Sequence, residues 1–283
     1  MGKRYSNHYL VCALNDIQAN KIAEKNEFDL ITYTKREFRD GSHQFEFKSF
    51  DESQILETDC AILYYRFKKP LDSDVINVLR LLHYLKDRFR HVVLLAPFMP
   101  FLREHSDQVL TYACFLFYDI KIIISDGHAS RDNVISLPPT EFAEYIKRDD
   151  LIILPDDGAS RYLGMYQNDH IHGVKDRNSG LSFSDASKIY GRNCVILDDI
   201  VDTGYTLINT IKQLKLHRAN LVKACVTHYL AQDLILNGAD VGAFSKWGLE
   251  FLYIYDTVLG DKQVDCAQIC DFTTAFTNLK EKL

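Results

Sequence analysis

The chain's apolar residues fall into short, nearly continuous runs, and between those runs they recur every three or four positions. Residues 8–14, 60–65, 91–96, 120–124, 151–154, 194–197, 222–227 and 249–255 form the runs. Such continuity fits strands buried on both faces, because a strand with one wetted face would alternate apolar and polar side chains. Residues 74–85 and 106–116 carry helical spacing, as do Leu207, Ile208, Ile211 and Leu214 behind the sixth run. Strand and helix signals that alternate along a chain predict an α/β fold, with mainly parallel sheets flanked by helices.

Two interruptions divide the pattern. Residues 134–139 close on two prolines and read as a link between two α/β halves. The expected domains are therefore 1–135 and 136–265, with 266–283 as a C-terminal helix packing back on the first half. Residues 169–188 show neither period and carry Gly173, Gly180 and several Ser and Asp residues. A long mobile loop is expected there, of a kind that is usually functional or disordered. No internal repeat or low-complexity tract is evident.

With 283 residues and 47% hydrophobic content, the chain can bury two substantial cores. The net charge of -6 argues against a general nucleic-acid binder, which would carry a basic field. Cys12, Cys60, Cys114, Cys194 and Cys225 lie in apolar runs, and the total of seven is odd, so buried thiols in a reducing cytoplasm are expected. No apolar leader follows Met1 and no window approaches a membrane span, so a soluble protein is expected, with no membrane partner.

Candidate chemistry concentrates in residues 194–207. An apolar run stops at Asp198 and Asp199 and helical spacing resumes at Leu207, so Asp202, Thr203, Gly204, Tyr205 and Thr206 lie between a strand and a helix. In an open parallel sheet that place is the carboxyl edge, where backbone N–H groups and hydroxyls can face a phosphate. Adjacent carboxylates repel unless a ribose diol, a hydrated Mg²⁺ or both stand between them. An acidic helix cap would account for one of these residues and leave the others unexplained.

Other run ends repeat the arrangement. Asp126-Gly-His128-Ala-Ser follows the fourth run, and Pro155-Asp156-Asp-Gly-Ala-Ser-Arg161 follows the fifth. An imidazole and a carboxylate could supply part of an Mg²⁺ shell, with waters and phosphates completing it. Pro97 to Arg103 sets aromatics beside a guanidinium, a wall for a base with a partner for a polyphosphate. Lys175-Asp-Arg177 places two cations in the expected loop, candidates for offsetting charge on a transferring group. The chain has no P-loop and no dinucleotide glycine fingerprint, so a nucleotide would be held another way.

Taken in order, these motifs resemble those of the ribose-phosphate diphosphokinases, over nearly the whole chain. Phe38-Arg-Asp40-Gly is similar to the family's ATP-contacting Phe-x-Asp-Gly-Glu turn, and Pro97 to Arg103 to its nucleotide motif, after which Glu104-His105 replaces the more common Gln-Asp. Asp126-Gly-His128-Ala-Ser resembles its metal site, Pro155-Asp156-x-Gly-Ala its metal and ribose strand end, Lys175-x-Arg177 its catalytic loop, and Asp198 through Thr206 its ribose 5-phosphate loop. Thr227-His228 and Asp256-Thr257 fall where the family has Thr-His and Asn-Thr segments.

The resemblance implies two phosphoribosyltransferase-like domains, with ATP contacted by Phe38, Asp40, Arg103 and His105. It implies transfer of the β,γ-diphosphoryl group of ATP to the C1 hydroxyl of a ribose 5-phosphate unit. Mg²⁺ would be held by His128 and Asp156, and Lys175 and Arg177 would be catalytic. It further implies homo-oligomers, dimers or hexamers, in the cytoplasm, which is the host's cytoplasm if the source is a phage.

Departures accompany the matches. Ser42 stands where the ATP turn has Glu, and the segment near residues 48–55 that serves the regulatory site in many members is absent. Tyr205 stands where the family has Gly. One acceptor that suits an aromatic ring there is ADP-ribose, whose 5′ phosphate continues to an adenosine that could stack on it; the other reading is a ring pointing outward. Some phage enzymes resembling this family put diphosphate on ADP-ribose in rebuilding NAD. Two alternatives stay open: a phosphoribosyltransferase consuming PRPP, which shares the phosphate loop, and a nucleotide-binding regulator without catalysis, which Ser42 favours.

Overall fold

The computed structural model describes residues 7–39, 43–48, 51–68, 71–100, 120–127, 133–176, 180–230, 242–258 and 267–283. Their contacts form two units. One is Met1–Pro138 together with Thr273–Leu283, and the other is Pro139–Phe272.

The first unit holds β1 (His8–Ala13), β2 (Asp29–Glu37), β3 (His43–Lys48), β4 (Cys60–Tyr64), β5 (His91–Ala96), β6 (Lys121–Ser125) and β7 (Val134–Leu137). They form one sheet in the order β3-β2-β1-β4-β5-β6-β7, parallel throughout except for the β2–β3 pair. Helices α1 (Ile17–Asn26) and α2 (Leu71–Lys86) belong to the same unit. The second unit holds β8 (Leu151–Leu154), β9 (His170–Asp176), β10 (Gly180–Phe183), β11 (Asn193–Val201), β12 (Leu221–Tyr229), β13 (Phe251–Tyr255) and β14 (Ala267–Cys270), with helices α3 (Tyr205–Leu216) and α4 (Gly242–Lys246). Its sheet order is β10-β9-β8-β11-β12-β13-β14, again parallel apart from the β9–β10 hairpin. Counted from its own first strand, the second order repeats the first. One topology is used twice in a chain whose sequence shows no repeat.

The apolar runs are the parallel strands. Every residue of β4 and β8 is buried, as expected when both faces of a sheet are covered. In the second unit, Leu207, Ile211 and Leu214 share one face of α3 at helical spacing and are at most 1% exposed. They pack on Ile153, Ile196, Ala224 and Ile254 from four neighbouring strands. Each such side chain contributes about 1.5–3 kcal/mol on burial. α1 begins at Asp16, whose carboxylate accepts the N–H groups of Gln18 and Ala19 at 3.0 Å each. Cys12, Cys60, Cys194, Cys225 and Cys270 are free and buried, and burial pushes the thiols of Cys12, Cys60 and Cys194 up to about 12.

Three expectations are corrected. Residues 134–137 are not a linker but β7, which pairs with β6 through Ile122↔Val134 to Ser125↔Leu137. Residues 169–188 are not a structureless loop: β9 and β10 pair there from Lys175↔Leu181 to Gly173↔Phe183. Ile171 and Phe183 reach the core from this hairpin, but too few apolar positions alternate for a period to show. Residues 266–283 are not one helix. β14 adds to β13 at the sheet edge, a 3₁₀ turn follows at Phe272–Phe276, and only α5 (Leu279–Lys282) is helical. An edge strand is stabilised by its neighbour, and a local period does not report a distant neighbour. The expected helix at 106–116 lies outside the described residues.

The last segment packs within the first unit. The Asn26 Nδ2 group donates to the Phe276 carbonyl at 2.7 Å and its Oδ1 accepts the Leu279 N–H at 2.8 Å, while Phe276 and Leu279 are fully buried. No helix among the described residues is long and apolar enough to cross a membrane.

Candidate active site

From β8 the chain steps to β9 on one side, and β11 returns to pair with β8 on the other. That reversal is a topological switch point, the place at which open α/β sheets bind their ligands. The register Ile196↔Ile153 carries Asp198 and Asp199 of β11 and the Pro155–Asp156 turn after β8 to the same edge. Gly173 of β9 lets that turn sit close. A Cβ at this position would lie 2.5 Å from the Pro155 carbonyl oxygen, so a side chain would push the turn away.

Asp198 and Asp199 are 7% and 8% exposed as whole residues. The Asp199 N–H donates to Asp198 Oδ1 at 3.0 Å. Burial raises the Asp198 carboxyl well above the usual carboxylate range, and the charges of Asp199 and Asp156 raise it further. Arg161 reaches the pair from the 3₁₀ turn Asp157–Tyr162, its Nη2 lying 3.3 Å from Asp199 Oδ2. The guanidinium is itself anchored. Nη1 donates to the Gly158 carbonyl at 2.7 Å, Nη2 donates to the Tyr162 hydroxyl at 3.2 Å, and its carbon lies 4.8 Å from the Tyr162 ring centre. The sequence reading assigned Arg161 no role in the site. The available signal was its place in the segment that follows the same strand end as Asp156.

Behind β11 the chain turns through Asp202, Thr203 and Gly204 into α3. Gly204 is the N-cap residue with φ 74°, a left-handed conformation that costs glycine no Cβ clash. Asp202 and Thr203 are exposed, Gly204 is buried and Thr206 is partly buried. The Tyr205 N–H makes a 3.4 Å contact with Thr203 Oγ1, and the Tyr205 side chain is 72% exposed at the first helical position. A turn that delivers backbone N–H groups at the start of a three-turn helix is suited to an anion.

The ends of β12 and β13 meet beside this edge. Thr257 donates its hydroxyl proton to the Thr227 carbonyl at 3.2 Å, so its oxygen accepts from His228 Nδ1 at 2.9 Å. In the neutral ring this leaves the proton on Nδ1 and makes Nε2 the acceptor. All three residues are at most 5% exposed.

Of the remaining candidates, Lys175 is placed by its backbone. β9 pairs with β8 only as far as His172↔Leu154, so the Lys175 backbone overhangs the carboxyl edge by three further residues, about 10 Å of strand. The Lys175 side chain lies outside what is described, as do Asp40, Arg103, His105, His128 and Arg177. Phe38 follows β2, is 41% exposed and lies 5.5 Å from the Arg36 guanidinium. Asp126, two residues before position 128, is buried in a left-handed conformation with its N–H on the Leu137 carbonyl at 2.8 Å. Among the described residues no three metal-ligating side chains converge. Mg²⁺ suits a sparser site, since it keeps several waters and takes one or two carboxylates with substrate phosphates, and Asp156 beside the acidic pair fits that role.

Comparison with known proteins agrees with this geometry. A phosphoribosyl transferase domain model matches residues 151–240. Proteins named ribose-phosphate pyrophosphokinase are similar in sequence. The one from Ralstonia nicotianae is 34% identical over 89 residues, which is 31% of this chain and 27% of that protein. The one from Caulobacter vibrioides is 32% identical over 175 residues, or 55% and 51%. The one from Pyrococcus furiosus is 27% identical over 220 residues, or 65% and 77%. The chain thus spans between about a quarter and about a half of the Ralstonia and Caulobacter proteins. The solved structure of phosphoribosylpyrophosphate synthetase from Mycobacterium smegmatis superposes with a TM-score of 0.80 at 17% identity, over 98% of each chain, and so shares the fold. The chain is thus similar in sequence to ribose-phosphate pyrophosphokinases over part of their length, matches a phosphoribosyl transferase domain over residues 151–240 and shares the fold of a phosphoribosylpyrophosphate synthetase.

Proposed function

We propose that this protein is an ATP-dependent diphosphokinase whose acceptor is a ribose 5-phosphate unit. The observation that carries the reading is the buried pair Asp198–Asp199, joined by Asp156 and Arg161 at the switch point and followed directly by the Gly204 turn into α3. Carboxylates that cannot both stay ionised call for donors, and a ribose diol supplies two O–H groups while its 5-phosphate takes the turn's N–H groups. With the sugar held at both ends, its C1 hydroxyl is aimed at a nucleotide. The hydroxyl oxygen bonds to the β-phosphorus, the bond from that phosphorus to the α,β-bridging oxygen breaks, the hydroxyl proton is lost and AMP leaves. Mg²⁺, when bound by Asp156 and His128 with the polyphosphate, would offset charge on the phosphate oxygens. Lys175 and Arg177 would supply further positive charge to the transferring group. Positioning and electrostatics then do most of the work, as is usual for phosphoryl transfer. Phe38, Asp40, Arg103 and His105 belong to the ATP side in this reading, and a homo-oligomer is the working assembly.

A second acceptor is favoured by one observation. Tyr205 is 72% exposed at the mouth of the phosphate turn, so its ring is available to a group extending beyond the phosphate, as the adenine of ADP-ribose would. Protein incubated with Mg-ATP and either ribose 5-phosphate or ADP-ribose should release AMP, and mass analysis of the products names the acceptor. No AMP with either compound would sink the diphosphokinase reading.

A further inference from the structure

We propose that Arg161 splits the acidic pair into two unlike members: it holds Asp199 as a neutralised, fixed carboxylate and leaves Asp198 to take the acceptor's ribose hydroxyls. This rests on the proposed acceptor and adds a positioning residue to it. Among the described contacts, the guanidinium forms an ion pair with Asp199 at 3.3 Å and none with Asp198. That choice is built in. The Gly158 carbonyl at 2.7 Å, the Tyr162 hydroxyl at 3.2 Å and the buried Tyr162 ring hold the fork on the Asp199 side. A planar, rigid guanidinium held this way cannot be shared as a flexible ammonium could. Asp198 keeps one backbone N–H on Oδ1 and, with Asp199 held by Arg161, is the member of the pair left beside Asp156 to accept incoming donors. Without Arg161, Asp199 would lose the charge that offsets and positions it, and the diol would meet a displaced Asp198.

The test is a double-mutant cycle on acceptor binding. Arg161→Gln should weaken binding of ribose 5-phosphate, measured by calorimetry, at least tenfold and raise its KM by a similar factor. kcat at saturation and ATP affinity should stay within about threefold. Removing the charge that Arg161 neutralises should make Arg161 dispensable, so R161Q/D199N should bind ribose 5-phosphate more tightly than R161Q alone. R161K should recover less than the double variant, because an ammonium lacks the fork. Equal, independent losses from R161Q and D199N would overturn the proposal, as would an Arg161→Gln loss confined to kcat or to ATP. If R161Q melts far below the parent protein, recovery of binding in R161Q/D199N without recovery of Tm still supports the proposal, and recovery of both together overturns it in favour of a structural role. Wild-type protein that binds ribose 5-phosphate but releases no AMP with either acceptor would overturn the diphosphokinase reading and leave this cycle readable; wild-type protein with affinity for neither ribose 5-phosphate nor ADP-ribose overturns both.

Discussion

Asp198 is where stability and function pull apart. An Asp in the unfolded chain ionises near about 3.9, whereas burial and two neighbouring carboxylates raise it in the fold. Its contribution to stability is therefore full below the unfolded value and is lost as pH rises through the higher folded value. Ionising Asp198 in the fold is thus disfavoured by its surroundings, so a neutral side chain there is better tolerated as pH rises. Asp198→Asn should consequently raise Tm at pH 7.5 by about 2–4 °C, the shift that ~1 kcal/mol gives in a chain of roughly this size. The gain should shrink towards pH 4, and acceptor binding should fall; thermal scans across pH with calorimetry on the same samples check both. Lys175→Ala should lower kcat by about 10²–10³ with Tm unchanged, as removal of a transition-state contact does, and steady-state kinetics beside a melt would show it. The acidic pair and its turn were legible at this scale because carboxylates, threonines and a glycine cluster within nine consecutive positions. The Arg161 contact was not, since an ion pair between neighbouring strand ends is set by register.

At the scale of elements, the parallel strands and α3 could be read from local patterns. Runs buried on both faces stay apolar at every position, and Leu207, Ile211 and Leu214 repeat at the helical period. Ile211→Ala should cost about 2–5 kcal/mol, visible as a lower denaturant midpoint for the second unit. The hairpin of β9 and β10 was hidden, and Gly173 read there as a sign of loop. In the fold it is the place where β9 meets the Pro155 carbonyl. Gly173→Ala should shift Asp156, and because a displacement of about 1 Å can cost about 10²-fold in rate, turnover should fall far more than Tm. Mg²⁺ titration of activity in that variant would show a raised requirement.

The whole molecule is two units of one topology, and its last residues belong to the first unit. Phe276 is fully buried and its carbonyl accepts from Asn26, so the tail completes a core begun some 250 residues earlier. Phe276→Ala should cost about 3–5 kcal/mol, and the loss should fall on the first unit. Hydrogen exchange resolved by segment would show faster opening around α1 than around α3.

By itself the sequence determined the class of fold, the eight apolar runs that became strands and the placing of Asp156, Asp198 and Asp199 at the ends of β8 and β11. All of these depend on residues close together in the chain, where burial and backbone geometry impose a period. The tertiary structure alone decided the strand order, the strand nature of β2, β3, β7, β9, β10 and β14, the return of the tail and the pairing of Arg161 with Asp199. Each of those joins groups from separate segments, and their partners are chosen by packing and register, which leave no period along the chain.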